Sequence, residues 1–245
     1  MLAALLGAGV VAGIVNTLAG GGSLVSLAAL LFAGLPADAA NATNRVAVLL
    51  QSGTAVQRFR AKRVLDPEHA WVYVPATCLG AIVGARLSVD IDEALFRQVI
   101  GVAMLLILAL MWLKPKQWLE GRQGGRELPA WLRHLVFLAI GGYGGFLQAG
   151  VGVFLLSGLV LANGMDLVRG NAVKAVLVLC FTLPSLAIFL WEGLVVWAPG
   201  LVLATGSILG AVVGARITVS WGPDFVRWVL TVAVLASATS LLGLH

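Results

Sequence analysis

An apolar segment with two glycines four residues apart occurs twice in this chain. Residues 79–87 read Leu-Gly-Ala-Ile-Val-Gly-Ala-Arg-Leu, and residues 209–217 read Leu-Gly-Ala-Val-Val-Gly-Ala-Arg-Ile. The same spacing relates Arg97 to Arg227, so the match continues beyond the segment itself. The chain is therefore predicted to be an internal duplication, and a duplicated hydrophobic chain is typical of a transporter.

The composition predicts a membrane protein. Hydrophobic residues make up 60% of the chain and charged residues 11%, whereas soluble domains are about half apolar and about a quarter charged. Much of the net charge of +5 lies in two polar loops, which indicates membrane topology rather than a nucleic-acid site. We therefore expect the chain to contact the lipid bilayer and to bind no nucleic acid.

Each half of the chain contains five apolar segments. They lie at 2–18, 24–34, 40–58, 70–88 and 95–113, and again at 134–148, 152–163, 170–190, 197–217 and 225–243. Because a membrane-spanning helix needs about 20 residues, the segments at 24–34 and 152–163 are predicted to be half-helices. The predicted organisation is a first membrane repeat (1–113), a cytoplasmic linker (114–133) and a second membrane repeat (134–245).

The predicted fold is an all-α, polytopic transmembrane helical bundle. Each half is expected to contain three full crossings and a glycine-rich hairpin, broken or re-entrant, at 19–23 or 148–152. An odd number of crossings per half inverts the second repeat relative to the first. The basic residues at 58–63 and in the linker predict the cytoplasmic side, so both termini are expected on the other side.

The two glycine-rich breaks are candidate anion sites. A helix that starts after Gly22 presents free backbone N–H groups and the positive end of its dipole. Ser23 is predicted to cap that helix and to donate to an oxyanion, while Asn16 and Gln148 supply uncharged amide donors. The alternative is a packing turn whose glycines let helices touch.

Two cations lie inside apolar segments at related places in the two halves. Arg45 and Lys174 are costly there unless they face a cavity or a partner, and snorkelling to a helix end is the alternative to substrate contact. Asn41 and Thr43 are further candidates for the same path. Arg86 and Arg216 end their helices, so snorkelling or a gate pairing is expected of them. The predicted substrate-binding residues are Asn16, Gly20, Gly21, Gly22, Ser23, Asn44, Arg45, Gln148, Gly150, Gly152, Asn171 and Lys174.

The first half also carries a recognisable block of motifs. Residues 16–23 read Asn-Thr-Leu-Ala-Gly-Gly-Gly-Ser, followed by Gly-Leu-Pro at 34–36 and Asn-Ala-Thr-Asn-Arg at 41–45. With the duplicated organisation, this block resembles the sulfite exporter TauE/SafE family. The resemblance implies a multi-pass protein of the bacterial inner membrane that moves sulfite, organosulfonates or related anions. The second half lacks the triple glycine.

The remaining expectations concern mechanism. No Asp or Glu lies clearly inside an apolar segment, so a carboxylate proton relay is not predicted. Export could be driven by the membrane potential alone, and exchange stays open, as does a homodimer. A passive anion channel and a membrane scaffold subunit are the alternatives. We expect no enzyme activity, no catalytic residues, no metal and no cofactor.

Overall fold

The structure is a computed structural model that describes residues 1–65, 67–92, 94–96, 98–103, 129–162, 165 and 167–217. Regular structure in these residues is entirely helical, as predicted. The helices are α1 (Leu2–Ala19), α2 (Gly22–Phe32), α3 (Ala37–Ala61), α4 (Pro67–Val89), α5 (Ala130–Phe146), α6 (Val151–Ser157), α7 (Leu167–Trp191) and α8 (Trp197–Ile217). A π-helical stretch, Gly158–Ala162, continues α6, and residues 94–96 and 98–103 are also helical.

Most predicted segments differ from the helices only at their ends. The largest difference concerns α5, which begins at Ala130, within the predicted linker. Pro129 occupies its N-cap with φ −51°, a dihedral angle that suits a helix start. The predicted segment at 225–243, the end of the segment at 95–113, and linker residues 114–128 lie outside the described residues.

Two glycine-broken hairpins have one long and one short arm each. α2 has 11 residues, which corresponds to a length of about 16 Å and is too short to cross the hydrocarbon core. It folds back on α1, because a side chain at Gly22 would meet Ala12 and Asn16. The π-helical stretch brings the short arm of the second hairpin to a similar length. The predicted half-helices are therefore present in both halves.

Glycines allow two pairs of helices to touch along their backbones. On α4, Gly80 and Gly84 lie against Leu138 and Gly142 of α5. In the same way, Gly210 of α8 lies against Val10 and Gly13 of α1. Because no Cβ intervenes, the two helices of each pair come into close backbone contact. The glycines of the duplicated segment thus make equivalent contacts in the two halves.

α3 and α7 occupy the middle of the bundle and cross in opposite directions. Phe59, near the end of α3, packs with Ala172 and Ala175, near the start of α7, while Gly53 approaches Leu179 further along. Helices α4, α7 and α8 contain stretches long and apolar enough to cross a membrane. α3 is longer, at 25 residues, but much of its polar sequence is buried against other helices.

The two ends of the bundle differ in charge. One end, called the basic end, carries the C-terminus of α3 with its cluster Arg58, Arg60, Lys62 and Arg63. The N-termini of α4, α5 and α7 lie at this end too. The opposite end, called the acidic end, carries Asp90 and Asp92 after α4 and Glu192 after α7. The sequence predicted this grouping of charges, and the basic end is the predicted cytoplasmic side.

Candidate functional site

The two glycine breaks meet at the centre of the described bundle. Gly20 and Gly152 are in backbone contact, so a Cβ on either glycine would overlap the other residue. Gly20 and Gly150 also have positive φ angles of 80° and 67°, which glycine adopts without the strain that other residues incur. The two hairpins therefore contact each other at the residues where each of them turns.

Ser23 connects the two breaks. Its Oγ donates to the carbonyl oxygen of Gln148 at 3.1 Å and accepts from the backbone N–H of Gly150 at 3.1 Å. The prediction that Ser23 caps α2 is wrong, because the N-cap is Gly21 and it makes no side-chain capping bond. Ser23 lies inside the first turn, and its hydroxyl bonds to the opposite hairpin instead.

Arg45 is fully buried and donates hydrogen bonds to the C-terminal end of α5. Its Nη1 donates to the carbonyl of Gly144 at 3.0 Å, and its Nη2 donates to the carbonyl of Gly145. Its guanidinium carbon lies 4.6 Å from the centre of the Phe189 ring. The last carbonyls of a helix lack intrahelical partners and carry partial negative charge, so Arg45 neutralises the α5 side of the second break.

Lys174 makes the corresponding contact with α1. Its Nζ donates to the carbonyl of Asn16 at 2.8 Å and to Oδ1 of Asn171 at 2.6 Å. Both cations are buried, so the structure excludes snorkelling for either. They are not strict repeat partners, because the ungapped spacing of 130 residues that relates Arg86 to Arg216 places Lys174 opposite Asn44.

The amides near the breaks bond to the protein in this conformation. Asn16 Nδ2 donates to Gln51 Oε1 at 3.1 Å, and Gln148 Nε2 donates to Thr182 Oγ1 at 2.9 Å. Asn41 and Asn171, which the 130-residue spacing makes equivalent, donate to the carbonyls of Phe146 and Leu18 respectively. These asparagines tie each central helix to the hairpin of the other half.

A small cavity lies beside Lys174, on the basic-end side of the breaks. Its lining residues are all buried, and it has room for about one water molecule. The lining residues come from α1, α3 and α7: Asn16, Thr17, Gln51, Ser52, Ala55, Phe59, Asn171, Lys174, Ala175 and Val178. Gln51 and Ser52 were not predicted from the sequence. Their position seven and eight residues after Asn44, on one helix, was the available signal.

The acidic-end side of the breaks is incompletely bonded. Four buried side-chain atoms there have no hydrogen-bond partner among the described residues: Asn41 Oδ1, Asn44 Nδ2, Arg45 Nε and Gln148 Oε1. Asn44 Oδ1 does accept from Ser26 Oγ at 2.6 Å. Each unsatisfied buried polar atom costs about 1–3 kcal/mol. The site therefore has a small polar cavity on one side of the breaks and buried polar atoms without a hydrogen-bond partner on the other.

Polar contacts also join helices at the two ends of the bundle. Arg86 and Glu192 form an ion pair of 3.2 Å at the acidic end, in which the arginine side chain is 60% exposed; a gating role of this pair stays a prediction. At the basic end, Lys62 donates to the carbonyl of Ala215. The 130-residue spacing makes Lys62 equivalent to Glu192. Arg216 lies at the last turn of α8, and Thr43 accepts from the backbone N–H of Val196 at 2.9 Å.

Neither central cation contacts an acidic residue in the described part of the chain. Within that part, no three His, Cys, Asp or Glu side chains are grouped so that they could hold a metal ion. The chemistry that the site offers is therefore cationic and hydrogen-bonding, in a largely dehydrated setting. Such a setting favours an anionic ligand.

Comparison with known proteins gives a consistent family assignment. The family model for "Sulfite exporter TauE/SafE" matches residues 5–241. A "Probable membrane transporter protein" of Haemophilus influenzae is 31% identical over 229 residues, covering 93% of this chain and 89% of the relative. "Probable membrane transporter protein YfcA" of Escherichia coli K12 is 29% identical, covering 100% and 91%. The ORF9 protein of a Sinorhizobium species, with the same description, is 27% identical, covering 99% and 93%. No solved structure matches significantly.

Proposed function

This chain belongs to the sulfite exporter TauE/SafE family, and from that premise we propose that it exports small sulfur-containing anions, such as sulfite or organosulfonates, across the bacterial inner membrane. The relatives are named as probable membrane transporters, and that name describes transport rather than catalysis. The family name supplies the sulfur anion. The site supplies the physical reason for an anion of any kind.

The observation that carries the proposal is the placement of two buried cations where the hairpins meet. Arg45 and Lys174 each donate to backbone carbonyls near a helix C-terminus, and the partial negative charge of those carbonyls offsets part of the charge of the cation. A buried cation without an acidic partner still has an uncompensated desolvation cost. A bound anion would reduce that cost, so the site is expected to favour anions over neutral or cationic solutes.

We propose that the two halves are inverted repeats that work by alternating access. Two features support an inverted relation: α3 and α7 cross in opposite directions, and α4–α5 contacts resemble α8–α1 contacts. The small cavity beside Lys174 and the four unbonded polar atoms on the other side of the breaks support two states. In the second state, the side with the unbonded atoms would open, and water or substrate would bond to them.

The driving force in this proposal is the membrane potential. The acidic residues in the described part of the chain, Asp38, Glu68, Asp90, Asp92 and Glu192, lie at helix ends or in turns, so none of them forms a central proton relay. The potential of a cytoplasm that is electrically negative expels anions. Export of an anion held by fixed cations then requires no coupling ion.

Flux through purified protein in liposomes tests the proposal. A potassium gradient with valinomycin sets an inside-positive potential, and uptake of sulfite, sulfoacetate, sulfate and chloride is compared. We expect saturable uptake of sulfite or sulfoacetate that increases with the potential and is lost in Lys174→Ala and Arg45→Ala. Lys62→Ala is the matched control, because that lysine bonds to a helix end outside the central site.

Three outcomes would contradict the proposal. Flux that saturates only at very high concentration, without stimulation by substrate on the opposite side, would indicate a channel. Equal flux in the wild type and in both central variants would remove the cations from the mechanism. Absence of flux for every anion, with folded protein, would favour a scaffold role.

A further inference from the structure

The second glycine break contains a residue in an unusual backbone conformation. Gln148 has a φ of 57°, and among the described residues only Gln148 and Arg63 have a positive φ without being glycine. The side chain of Gln148 is buried, and its Oε1 has no hydrogen-bond partner among those residues. In the left-handed region a Cβ comes too close to the following carbonyl oxygen, so a glutamine is strained there. The second break therefore carries backbone strain in this conformation.

The first glycine break has no equivalent strained residue. The 130-residue spacing relates Gly20 to Gly150, and both have a positive φ that glycine tolerates. The same spacing places Leu18 opposite Gln148, and Leu18 lies inside α1, which continues to Ala19. The additional left-handed residue therefore belongs to the second break alone.

Side chains of the first half hold the second break in this form. Ser23 Oγ donates to the carbonyl of Gln148 and accepts from the N–H of Gly150. On α3, Asn41 and Arg45 donate to the last three carbonyls of α5. Strained residues persist only where the surrounding structure over-determines them, and they are frequent in switch regions. Contacts between the two halves therefore determine the conformation of Gln148.

Arg63 shows the ordinary case of a left-handed residue after a helix. It is exposed and follows the end of α3. Its N–H donates to the carbonyl of Arg60 at 3.0 Å, and the N–H of Val64 donates to the carbonyl of Phe59 at 3.2 Å. The backbone of α3 itself thus closes this helix end. We expect the strain at Arg63 to be the same in every conformation of the protein, because no contact between the halves produces it.

We propose that the second glycine break is the element that changes conformation in the transport cycle, with Gln148 as its hinge residue. In the conformation described, contacts from the other half keep Gln148 in the left-handed region. In the second state, Ser23 releases the break, the backbone of Gln148 relaxes and its Oε1 gains a partner. This inference rests on the proposed alternating access and adds which of the two breaks moves. Ser23 is the positioning residue that holds the break between movements.

A cysteine reporter measures how often the acidic-end side of the breaks opens. Ser26 is buried and donates to Asn44, one of the residues with an unbonded polar atom on that side. Ser26→Cys is nearly isosteric, and Cys78→Ala and Cys180→Ala remove the native thiols. The rate of reaction with a membrane-impermeant thiol reagent is measured in vesicles that have the acidic end outside. This rate does not depend on which solute the protein transports.

Two substitutions of the hinge residue isolate the effect of the strain. Gln148→Gly and Gln148→Ala both remove the amide, but only alanine is strained at a positive φ. If the strain is relieved in the second state, the reporter should react about five- to tenfold more slowly with Gln148→Gly than with Gln148→Ala. Arg63→Gly and Arg63→Ala are the matched control pair, and their rates should agree within about twofold because that helix end does not move.

Removal of the Ser23 hydroxyl tests the positioning role. Ser23→Ala deletes both bonds to the second break, so the reporter should react about fivefold faster or more. Ser157→Ala is the control, because Ser157 Oγ bonds only within its own helix, to the carbonyl of Val153. If Gln148→Ala does not fold, Gln148→Asn replaces it. Asparagine adopts the left-handed conformation more readily, so this variant should react more slowly than the wild type.

Three results would overturn the inference. They are equal reporter rates in the glycine and alanine variants of Gln148, an unchanged rate in Ser23→Ala, and no reaction of the reporter in any variant. These outcomes differ from failure of the transport proposal. The expected order of rates without flux of any anion would contradict transport alone. Saturable, potential-driven flux with equal reporter rates would contradict only the role of Gln148.

Discussion

For single residues, the junction of the two hairpins depends on the backbone contact between Gly20 and Gly152. A methyl group at Gly20 would overlap Gly152, and it would also impose a positive φ on an alanine. We expect Gly20→Ala to destabilise the protein by about 1–2 kcal/mol from the left-handed backbone and by about 1–3 kcal/mol more from overpacking. Thermal unfolding in detergent micelles measures the sum.

Gly34→Ala is the matched control for the glycine contact. Gly34 has a φ of 88°, but no atom lies within 4 Å of the place that a Cβ would occupy, so only the backbone cost applies. Equal destabilisation by Gly20→Ala and Gly34→Ala would show that the hairpin tips do not touch.

Arg45 gives a second prediction at the residue scale. Arg45→Lys keeps the positive charge, but a single ammonium cannot reproduce the planar fork that bonds to the carbonyls of Gly144 and Gly145. We expect a loss of about 1–3 kcal/mol in stability, read from the unfolding midpoint. Arg86→Lys alters a pair whose arginine is 60% exposed and should cost less than about 1 kcal/mol. A smaller loss of stability in Arg45→Lys than in Arg86→Lys would contradict the role of the Arg45 guanidinium in bonding the end of α5.

At the scale of the helices, the duplicated glycines fix which elements touch. Gly84 lies against Gly142 and Phe146 of α5, so Gly84→Leu should separate α4 from α5. We expect loss of folded protein, seen as aggregation in size-exclusion chromatography. Gly7→Leu is the size-matched control, because Gly7 is exposed with open space beside it. A stable Gly84→Leu protein with altered anion affinity would refute the packing role.

Sequence patterns predicted the elements better than the site. The all-helical class, both half-helices and the close contacts of Gly80 and Gly84 follow from apolar length and glycine spacing, which are local properties. The bonds of Ser23 and Arg45 could not be predicted, because they depend on which hairpin faces which. Gln51 was missed for a related reason: an amide among polar residues on α3 gains meaning only when Lys174 and Asn16 come beside it.

At the scale of the whole molecule, the separation of charge predicts orientation. Single cysteines at Arg60 and Asp90 report the two ends, in a background with Cys78→Ala and Cys180→Ala. Because the basic end is expected in the cytoplasm, Arg60→Cys should react with a membrane-impermeant maleimide only in inside-out vesicles. Asp90→Cys should react only in right-side-out vesicles. The reverse pattern would invert the topology and the predicted direction of export.

The most direct test of alternating access compares Ser52 and Thr182, which the 130-residue spacing makes equivalent. Both side chains are buried: Ser52 lines the small cavity beside Lys174 on the basic-end side, and Thr182 accepts from Gln148 on the other side of the breaks. In the cysteine-free background, Ser52→Cys should react with an impermeant thiol reagent from the basic end only, and Thr182→Cys from the acidic end only. A saturating concentration of sulfoacetate should shift the two rates in opposite directions. Simultaneous reaction of either cysteine from both ends would contradict a carrier and indicate a continuous pore.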